Sequence, residues 1–421
     1  MKKLLILGGS SSSIDFVKTA KKMGIYTIVT DWNNVTDSPV KLDADEYWDV
    51  SIMDYDKLVD LSRKSGVDGI IPCMRDSYLT PYRILCDKLG LPCYLNKSTE
   101  EISINKLKFK AACTEYGIPV AKRYNININD NLSLATLPYP VVVKPADGSG
   151  SRGFKICNNI DDVRIAYPVA EKISTTGQVI VEDYIPYDAT IIHYTLVNGK
   201  CYYSGISDKI SCRFESSGSS VMGLQVFPSL GEKAYLETLN DKAINMFESL
   251  GFENGPVWIE AFFDGKDKFV FNEMGYRYGG SSTFYPVEWM FGFSQMEMLL
   301  NFAVGNETGH FIPVRNNSKQ KYCILPIHSK PGRIAEIRGM EDVLSRGDVY
   351  AYAPKYHSGQ EIKDWGTAQQ VFGYLHVLFS DKEGLNDTIT EVLTQLKAYD
   401  EKGNNLLFTL FNLDNLKKLS I

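Results

Sequence analysis

The first hundred residues alternate short apolar runs with segments whose apolar residues recur at helical spacing. An apolar run at residues 3–7 precedes a helical pattern at residues 14–23, and the order repeats up to another apolar run at residues 69–72. Alternation of this kind is typical of a parallel α/β sheet whose strands are connected by helices. We therefore predict a Rossmann-like domain over residues 1–101.

From about residue 102 the pattern becomes richer in strands, and several short apolar or alternating runs are separated by turns. Apolar residues at helical spacing predict one continuous helix over residues 232–250 and another over residues 286–304. We predict a central α+β domain over residues 102–305 and a further α+β domain over residues 306–421.

The composition excludes several classes of function. The chain has 45 basic and 51 acidic residues, a net charge of −6, and lacks the extended basic block expected of a nucleic-acid binder. Its first apolar run is too short for a signal peptide or a membrane span, so we expect a cytoplasmic protein without a membrane partner. The eight cysteines and five histidines form no recognisable zinc motif. Catalysis is therefore expected to use lysine, arginine and carboxylate side chains.

Gly8-Gly9 and four following serines lie between the first predicted strand and the first predicted helix. Backbone amides at such a position can bind an anion. The spacing G-x-G-x-x-G is absent, because Ser11 and Ser13 stand where glycines are needed, and this argues against an NAD site. A tight turn in a substrate-binding domain is the favoured interpretation.

Lys144 ends an apolar strand in the central domain and is followed by a loop rich in glycine and serine. Such a loop can fold over phosphate groups with its backbone amides. A flexible connector between two strands is the alternative. The candidate loop residues are Gly148, Ser149, Gly150, Ser151, Arg152 and Gly153.

Glu260 and Glu273 lie on two consecutive predicted strands. If the loop between the strands has an even number of residues, both side chains point to the same face, with Phe271 and other aromatic residues beside them. Two neighbouring carboxylates are unfavourable unless a cation lies between them, and Mg²⁺ prefers oxygen ligands. Two solvated glutamates are the alternative. Arg277 has the same strand parity as Glu273 and could stabilise a phosphoryl group on that face.

In their order along the chain, these motifs resemble the ATP-grasp superfamily, in the branch of biotin carboxylase, phosphoribosylglycinamide synthetase and the L-amino acid ligases. The resemblance covers the whole chain and implies a Rossmann-like pre-ATP-grasp domain, an ATP-grasp domain and a carboxylase-like C-terminal domain. It implies ATP and Mg²⁺, with Mn²⁺ as a substitute, and leaves a homodimer open. The implied nucleotide-binding residues are Lys106, Lys144, the loop 148–153, the hinge residues Glu182, Asp183, Tyr184 and Ile185, and Asp188 for the ribose. The implied metal ligands are Glu260 and Glu273, and Arg277 matches the arginine of the E-x-N-x-R motif.

Three positions depart from the family pattern. Gly275 replaces the usual asparagine, which removes one oxygen ligand, and the neighbouring Asn272 is expected to point to the opposite face of its strand. Asn105 replaces the aspartate that opens the family's first helix. The ribose-binding acid is not defined by the pattern, since Ala189 and Thr190 compete with Asp188 for that place.

The resemblance implies an ATP-dependent ligase that activates a small carboxylate as an acyl phosphate and joins it to an amine, with amino-acid-like substrates favoured. Lys209 could hold a substrate carboxylate or phosphate, although a solvated loop is the alternative. The competing hypotheses are a phosphoribosylamine–glycine ligase, a bicarbonate-activating carboxylase, a nucleotide-binding regulator that lost catalysis through Gly275, and an NAD oxidoreductase.

Overall fold

The computed structural model describes residues 1–148, 150, 152–213 and 220–410. Its first domain contains a four-stranded parallel sheet of order β3-β2-β1-β4. Helices α1 and α2 connect β1 to β2 and β3 to β4, as the alternating pattern predicts, whereas β2 and β3 are joined by a loop with one 3-10 turn at Pro39–Leu42. The elements of this domain are β1 (Lys3–Leu7), α1 (Ile14–Lys22), β2 (Tyr26–Thr30), β3 (Glu46–Trp48), α2 (Tyr55–Ser65), β4 (Gly69–Pro72), α3 (Leu79–Leu89) and α4 (Lys97–Ile104).

A small antiparallel sheet of order β6-β5-β7 follows, and one helix packs against it. Its middle strand is fully buried and is the apolar run that ends in Lys144. The elements of this part are α5 (Lys106–Glu115), α6 (Asn131–Ala135), β5 (Val141–Pro145), β6 (Lys155–Cys157), α7 (Ile160–Ile173) and β7 (Val179–Asp183).

The next strands belong to a nine-stranded sheet of order β12-β11-β8-β9-β10-β13-β18-β16, to which β20 adds beside β13. Strand β9 is 14 residues long, and its pairing with β8 and β10 forms the centre of this part of the sheet. The elements up to residue 303 are β8 (Asp188–Val197), β9 (Lys200–Arg213), β10 (Ser220–Phe227), α8 (Glu232–Thr238), α9 (Asn240–Ser249), β11 (Gly255–Phe263), β12 (Phe269–Gly275), α10 (Phe284–Phe291) and α11 (Gln295–Ala303).

The C-terminal segment continues the same large sheet. Strand β10 of the predicted central domain pairs with β13 of the predicted third domain, so the sheet runs across the boundary at residue 305. Two two-stranded sheets, β14-β17 and β15-β19, complete this segment. Its elements are β13 (Lys321–Ser329), β14 (Gly332–Arg333), β15 (Glu336–Arg338), α12 (Met340–Leu344), β16 (Val349–Pro354), β17 (Glu361–Ile362), β18 (Val371–Phe379), α13 (Lys382–Gln395), β19 (Lys397–Tyr399) and β20 (Leu407–Phe408).

Two of the predicted helices are each interrupted. The segment 232–250 contains α8 and α9, which meet at Leu239, a residue with non-helical backbone angles. The segment 286–304 contains α10 and α11, because Gly292 adopts a left-handed conformation and Ser294 caps the second helix by accepting a hydrogen bond from the Glu297 amide. Among the helices of the described residues, none combines the length and apolar character that a membrane crossing needs.

Candidate active site

Helix α5 presents two lysines toward the cleft between the small sheet and the large sheet. Asn105 caps this helix by accepting hydrogen bonds from the amides of Leu107 and Lys108, so asparagine serves here as well as aspartate would. Lys106 Nζ lies 3.1 Å from Glu273 Oε2 and also donates to the Gly148 carbonyl oxygen. Lys110 follows at i+4, which places it on the same side of the helix.

Glu182 connects two buried lysines. Its Oε1 lies 2.7 Å from Lys144 Nζ, and its Oε2 lies 2.7 Å from Lys110 Nζ. Burial alone would raise the pKa of Glu182, but the two ammonium groups outweigh it and hold that pKa below its usual range. Burial and the neighbouring Lys144 lower the pKa of Lys110 to about 8, against the opposing effect of Glu182. The carboxylate therefore stays ionised between the two lysines.

Glu260 and Glu273 are direct cross-strand partners on β11 and β12. The premise of an even-length loop is wrong, because Phe263 pairs with Phe269 and five residues lie between them. A β-bulge between Glu260 and Ala261 shifts the register by one residue and restores the pairing of the two glutamates.

The same bulge corrects two predictions about neighbouring side chains. Phe271 pairs with Ala261 and is fully buried on the opposite face, so it does not share the face of Glu260. Asn272 does not point away from the site, because its Nδ2 donates to Glu260 Oε1 at 3.0 Å and its Oδ1 accepts from Lys144 Nζ at 2.6 Å. A lysine can only donate and an ionised carboxylate can only accept, which fixes the orientation of the amide between them.

Lys209 of β9 lies on the other side of Glu260, with its Nζ 2.7 Å from Glu260 Oε2. Burial alone would raise the pKa of Glu260, and Lys209 and Asn272 hold it below its usual range. Burial would likewise lower the pKa of Lys209, and the carboxylates of Glu260 and Glu273 raise it. Both groups are therefore charged at neutral pH, and Lys209 contacts a metal-ligand candidate of the large sheet.

These contacts link the charged and amide side chains into one series from Lys110 to Lys209, and into a separate Lys106–Glu273 pair that lies beside Glu260 across the β11–β12 ladder. Their charges sum to +1 when all are ionised. The members are Lys106, Lys110, Lys144, Lys209, Glu182, Glu260, Glu273 and Asn272.

The donor set fits a magnesium nucleotide. Glu260 and Glu273 supply two carboxylates on one face; Lys106 and Lys209 contact them directly, and Lys144 lies beyond Asn272, so a polyphosphate bound there would meet several positive charges. Within the described residues, no cluster of three or more His, Cys, Asp or Glu side chains is arranged to hold a metal. The two carboxylates are ligands of the kind that Mg²⁺ uses in phosphate sites, where phosphate oxygens and water complete its shell.

Arg277 lies at the contact between the first domain and the large sheet. Its Nε and Nη2 donate to the two carboxylate oxygens of Asp76 at 2.6 and 2.7 Å. Its guanidinium also stacks over the Trp258 ring, with 5.3 Å to the ring centroid. Trp258 and Glu260 are two residues apart on β11 and share its partly exposed face, so Arg277 is placed beside that face by Asp76.

The loop after Lys144 is held at its start by Asp147. This carboxylate accepts hydrogen bonds from the hydroxyls of Ser174 and Thr175 and from the Thr176 amide. Gly150 and Gly153 adopt left-handed conformations, with φ of 67° and 72°, which glycine allows without strain. Arg152 lies between them in the chain, whereas Ser149 and Ser151 are outside the described residues.

We expect Asp147→Ala to destabilise the protein more at neutral pH than in acid. Burial raises the pKa of Asp147, but the hydrogen bonds from Ser174, Thr175 and Thr176 outweigh it and lower that pKa below its ordinary 3.8. A lowered folded-state pKa stabilises the fold above the unfolded-state pKa, and this contribution disappears as the pH falls through the folded-state value. Urea unfolding of both proteins at pH 7 and near pH 3 measures the difference.

Asp267→Ala is the control for this measurement, because Asp267 is an exposed residue of the β11–β12 loop. An unfolding free-energy difference between Asp147→Ala and the parent that stays constant from pH 7 to pH 3 would contradict the role of the ionised carboxylate.

The predicted hinge covers the end of β7, with Glu182 and Asp183, and the start of the connection to β8. Asp183 accepts a hydrogen bond from the Tyr124 hydroxyl at 2.6 Å, and Tyr184 and Ile185 are partly buried. Asp188 is exposed at the first position of β8. The structure thus leaves Asp188 accessible, and its role toward ribose stays a prediction.

The glycine-serine turn of the first domain has contacts of its own. The Gly9 amide donates to Asp31 at 3.0 Å, and the Ser11 hydroxyl lies 3.4 Å from Nδ1 of His357. Asp31 thus accepts a hydrogen bond from this turn, and the turn contacts the C-terminal segment through His357. These contacts show a turn held by hydrogen bonds, and its place in a substrate-binding domain stays a prediction.

Three residues of the site were not identified from the sequence. Lys110 could have been recognised because it follows Lys106 at i+4 on the same helix. Asn272 depends on the bulge and Asp76 on the packing of two domains, and no local pattern indicates either.

The fold and the site resemble those of ATP-grasp proteins: a small and a large sheet bring lysines and paired carboxylates together. In agreement, residues 105–307 match the family model described as the ATP binding domain of the carbamoyl-phosphate synthase L chain. This match covers just under half of the chain and indicates an ATP-grasp module in that segment.

Similar proteins are found by sequence and by structure. A formate-dependent phosphoribosylglycinamide formyltransferase of Wolinella succinogenes is 23% identical over 279 residues, which are 65% of this chain and 70% of that protein. The biotin carboxylase domain of the Hydrogenobacter thermophilus 2-oxoglutarate carboxylase, solved as a dimer with MgADP, ADP and bicarbonate, has a TM-score of 0.79 at 18% identity; the match covers 96% of this chain and 91% of that one. An L-amino acid ligase from Bacillus licheniformis has a TM-score of 0.72 at 19% identity, covering 95% and 99%. The two structural likenesses establish the fold.

Proposed function

We propose that this chain is a Mg²⁺-dependent ligase that uses ATP to activate a small carboxylate as an acyl phosphate and transfers the acyl group to an amine. One group of contacts between the two sheets supports this proposal. Asn272 is hydrogen-bonded to both Lys144 and Glu260, and Lys106 contacts Glu273 beside them. A Mg²⁺ ion bound by the two glutamates would neutralise charge on the phosphates. The domains we assign are residues 1–101, 102–305 and 306–421.

In this proposal the lysines bind and orient the phosphates of ATP. A substrate carboxylate oxygen attacks the γ-phosphorus, the bond from that phosphorus to the β-phosphate oxygen breaks, and ADP leaves. Lys106 and Lys144 stabilise the negative charge on the oxygens of the transferring group. The loop 148–153 excludes water, so the amine attacks the acyl phosphate instead. The amine nitrogen bonds to the acyl carbon, the bond from that carbon to the phosphate oxygen breaks, phosphate leaves, and the nitrogen gives up a proton as the amide forms.

Glu182 has a supporting role in this mechanism. Because its carboxylate holds Lys110 and Lys144 within 2.7 Å, it fixes the positions of two cations before the nucleotide arrives. Groups fixed in advance need little rearrangement during phosphoryl transfer. Glu182 and the hinge residues Asp183, Tyr184 and Ile185 are also the proposed contacts of the adenine, and Asp188 that of the ribose.

Arg277 is the proposed contact of the substrate carboxylate or the acyl phosphate. It lies on the same side of the sheet as Glu260 and is paired with Asp76 of the first domain. Asp76 takes two of the five guanidinium N–H groups and the Tyr278 carbonyl oxygen takes a third, so the remaining N–H groups are the proposed donors to a substrate oxygen. Its position between the domains suits a substrate that enters between the first domain and the nucleotide. Lys209 is the second proposed cationic contact.

We favour amino-acid-like substrates, because this chain shares its fold with an L-amino acid ligase. The second candidate is an enzyme whose amine substrate carries a phosphoribosyl group. It could be a phosphoribosylamine–glycine ligase, or an enzyme similar to the Wolinella succinogenes relative, whose name specifies phosphoribosylglycinamide. We also propose that the protein is cytoplasmic and, by analogy with the biotin carboxylase domain, that it forms a homodimer.

Substrate-dependent ADP release in the presence of hydroxylamine tests this proposal. Amino acids, singly and in pairs, formate with phosphoribosylglycinamide, glycine with phosphoribosylamine, and bicarbonate are supplied with Mg²⁺ and ATP. We expect ADP and phosphate to form with one of these sets and a hydroxamate to accumulate when the amine is omitted. ADP release without any hydroxamate from the active carboxylate would contradict the acyl-phosphate step. Nucleotide binding with no ADP release from any set would favour a regulator that lost catalysis.

A further inference from the structure

Position 275 is closed to any side chain larger than hydrogen. Gly275 pairs with Trp258 across the β11–β12 ladder, and the indole lies flat against the glycine. A Cβ atom at residue 275 would lie 2.4 Å from Nε1 and 2.5 Å from Cε2 of Trp258. Such distances are far below van der Waals contact, so an asparagine at 275 requires Trp258 to move.

Trp258 is itself held in place. The Arg277 guanidinium stacks on its ring, and Asp76 fixes that guanidinium through two hydrogen bonds. The indole therefore cannot swing toward the first domain without breaking these contacts. The glycine at residue 275 and the position of the Trp258 indole therefore depend on each other, because the indole occupies the space that a side chain at residue 275 would need.

An amide is nevertheless present among the charged groups. The bulge between Glu260 and Ala261 leaves Asn272 and Glu273 side by side on the partly exposed side of β12, whereas Phe271 and Met274 are buried. Through this bulge, the Asn272 amide lies between Glu260 and Lys144. Its oxygen accepts from an ammonium group that the proposed function assigns to nucleotide phosphates.

We propose that Asn272 supplies the neutral oxygen ligand of the divalent cation that residue 275 cannot supply, and that Trp258 fills the space left at residue 275. This inference rests on the proposed function, because it assumes a cation held by Glu260 and Glu273 next to a nucleotide. The Nδ2–Glu260 hydrogen bond keeps the amide beside that carboxylate, and Oδ1 becomes available to the cation when Lys144 donates to a nucleotide phosphate instead of to Asn272. Amide and carboxylate oxygens are suitable ligands for Mg²⁺ and Mn²⁺.

Binding of Mn²⁺ to the ADP-loaded protein, followed by the electron paramagnetic resonance signal of free Mn²⁺, tests the role of Asn272. We expect Asn272→Ala to weaken Mn²⁺ binding by roughly 10- to 100-fold. Asn272→Asp keeps an oxygen at the site but cannot donate to Glu260, so we expect affinity within a few-fold of the parent protein. If Asn272→Asp loses as much affinity as Asn272→Ala, the amide only positions Glu260 and the ligand role is wrong.

Moving the asparagine from residue 272 to residue 275 tests the second part of the inference, that Trp258 fills the space at residue 275. We expect the triple variant Asn272→Ala, Trp258→Ala and Gly275→Asn to recover most of the Mn²⁺ affinity. The matched control is the double variant Asn272→Ala and Trp258→Ala, which should stay weak. Equal Mn²⁺ affinity of the two variants, both with cooperative thermal unfolding, would contradict the exchange of roles between the two positions.

These outcomes are separable from those of the proposed function. A parent protein that binds no Mn²⁺ in the presence of ADP would overturn the proposed metal site and this inference together. A parent protein that binds Mn²⁺ and forms hydroxamate, combined with unchanged Mn²⁺ binding by Asn272→Ala, would overturn this inference alone.

Discussion

Lys144→Ala is expected to lower the rate of ADP formation by roughly 10²- to 10³-fold, with the protein still folded. Lys144 Nζ lies 2.7 Å from Glu182 and 2.6 Å from Asn272, so its removal takes away a preorganised cation beside the proposed phosphates. Glu182 keeps Lys110 as a partner, which limits the cost of leaving its charge buried. Steady-state ADP release with the active substrate set gives the rate, and circular dichroism checks the fold.

Lys155→Ala is the matched control, because Lys155 is an exposed lysine on the neighbouring strand β6 of the same small sheet. It should turn over ATP at nearly the parent rate. A Lys144→Ala protein that is folded and as fast as the Lys155→Ala protein would remove Lys144 from the mechanism.

Glu260→Gln is expected to abolish measurable turnover and to weaken Mn²⁺ binding to the ADP-loaded protein by about 100-fold. The substitution keeps the shape of the side chain but removes the negative charge between Lys209 and the proposed cation. Lys209 then lies beside a neutral amide, which further disfavours a cation at this place. Titration with Mn²⁺ in the presence of ADP gives the affinity.

The corresponding control is Glu253→Gln, since Glu253 is exposed just before β11 and outside the charged cluster. If Glu260→Gln binds Mn²⁺ as tightly as the parent protein, the Glu260 carboxylate is not a metal ligand. Its cross-strand pairing with Glu273 would then have no role in metal binding.

The sequence predicted the alternating first domain because buried parallel strands and amphipathic helices leave local patterns. It also predicted that Lys144 ends a buried strand and that Glu260 and Glu273 share a face. The second of these was right for the wrong reason: the loop has five residues, and the bulge compensates for its odd length. Bulges arise from hydrogen bonding between strands and from packing, so alternation within one strand does not reveal them.

Other features depend on contacts between residues far apart in the chain. The pairing of β10 with β13 extends one sheet across the predicted boundary at residue 305, although each strand alone looks ordinary. The hydrogen bonds of Arg277 to Asp76 join residues 201 positions apart. The two helix interruptions differ. Gly292 and Ser294 are a local signal that ends one helix and starts the next, whereas the apolar spacing continues through Leu239, whose backbone angles separate α8 from α9.

The central claim is that a divalent cation and the phosphates of ATP bind between the two glutamates and the lysines of this cleft. A crystal structure with Mn²⁺ and a non-hydrolysable ATP analogue, with anomalous scattering from manganese, tests it most directly. We predict a manganese peak within about 2.0–2.3 Å of carboxylate oxygens of both Glu260 and Glu273, and a phosphate oxygen at hydrogen-bonding distance from Lys144 Nζ. Manganese bound elsewhere, or a triphosphate that does not reach Lys144, would contradict the account.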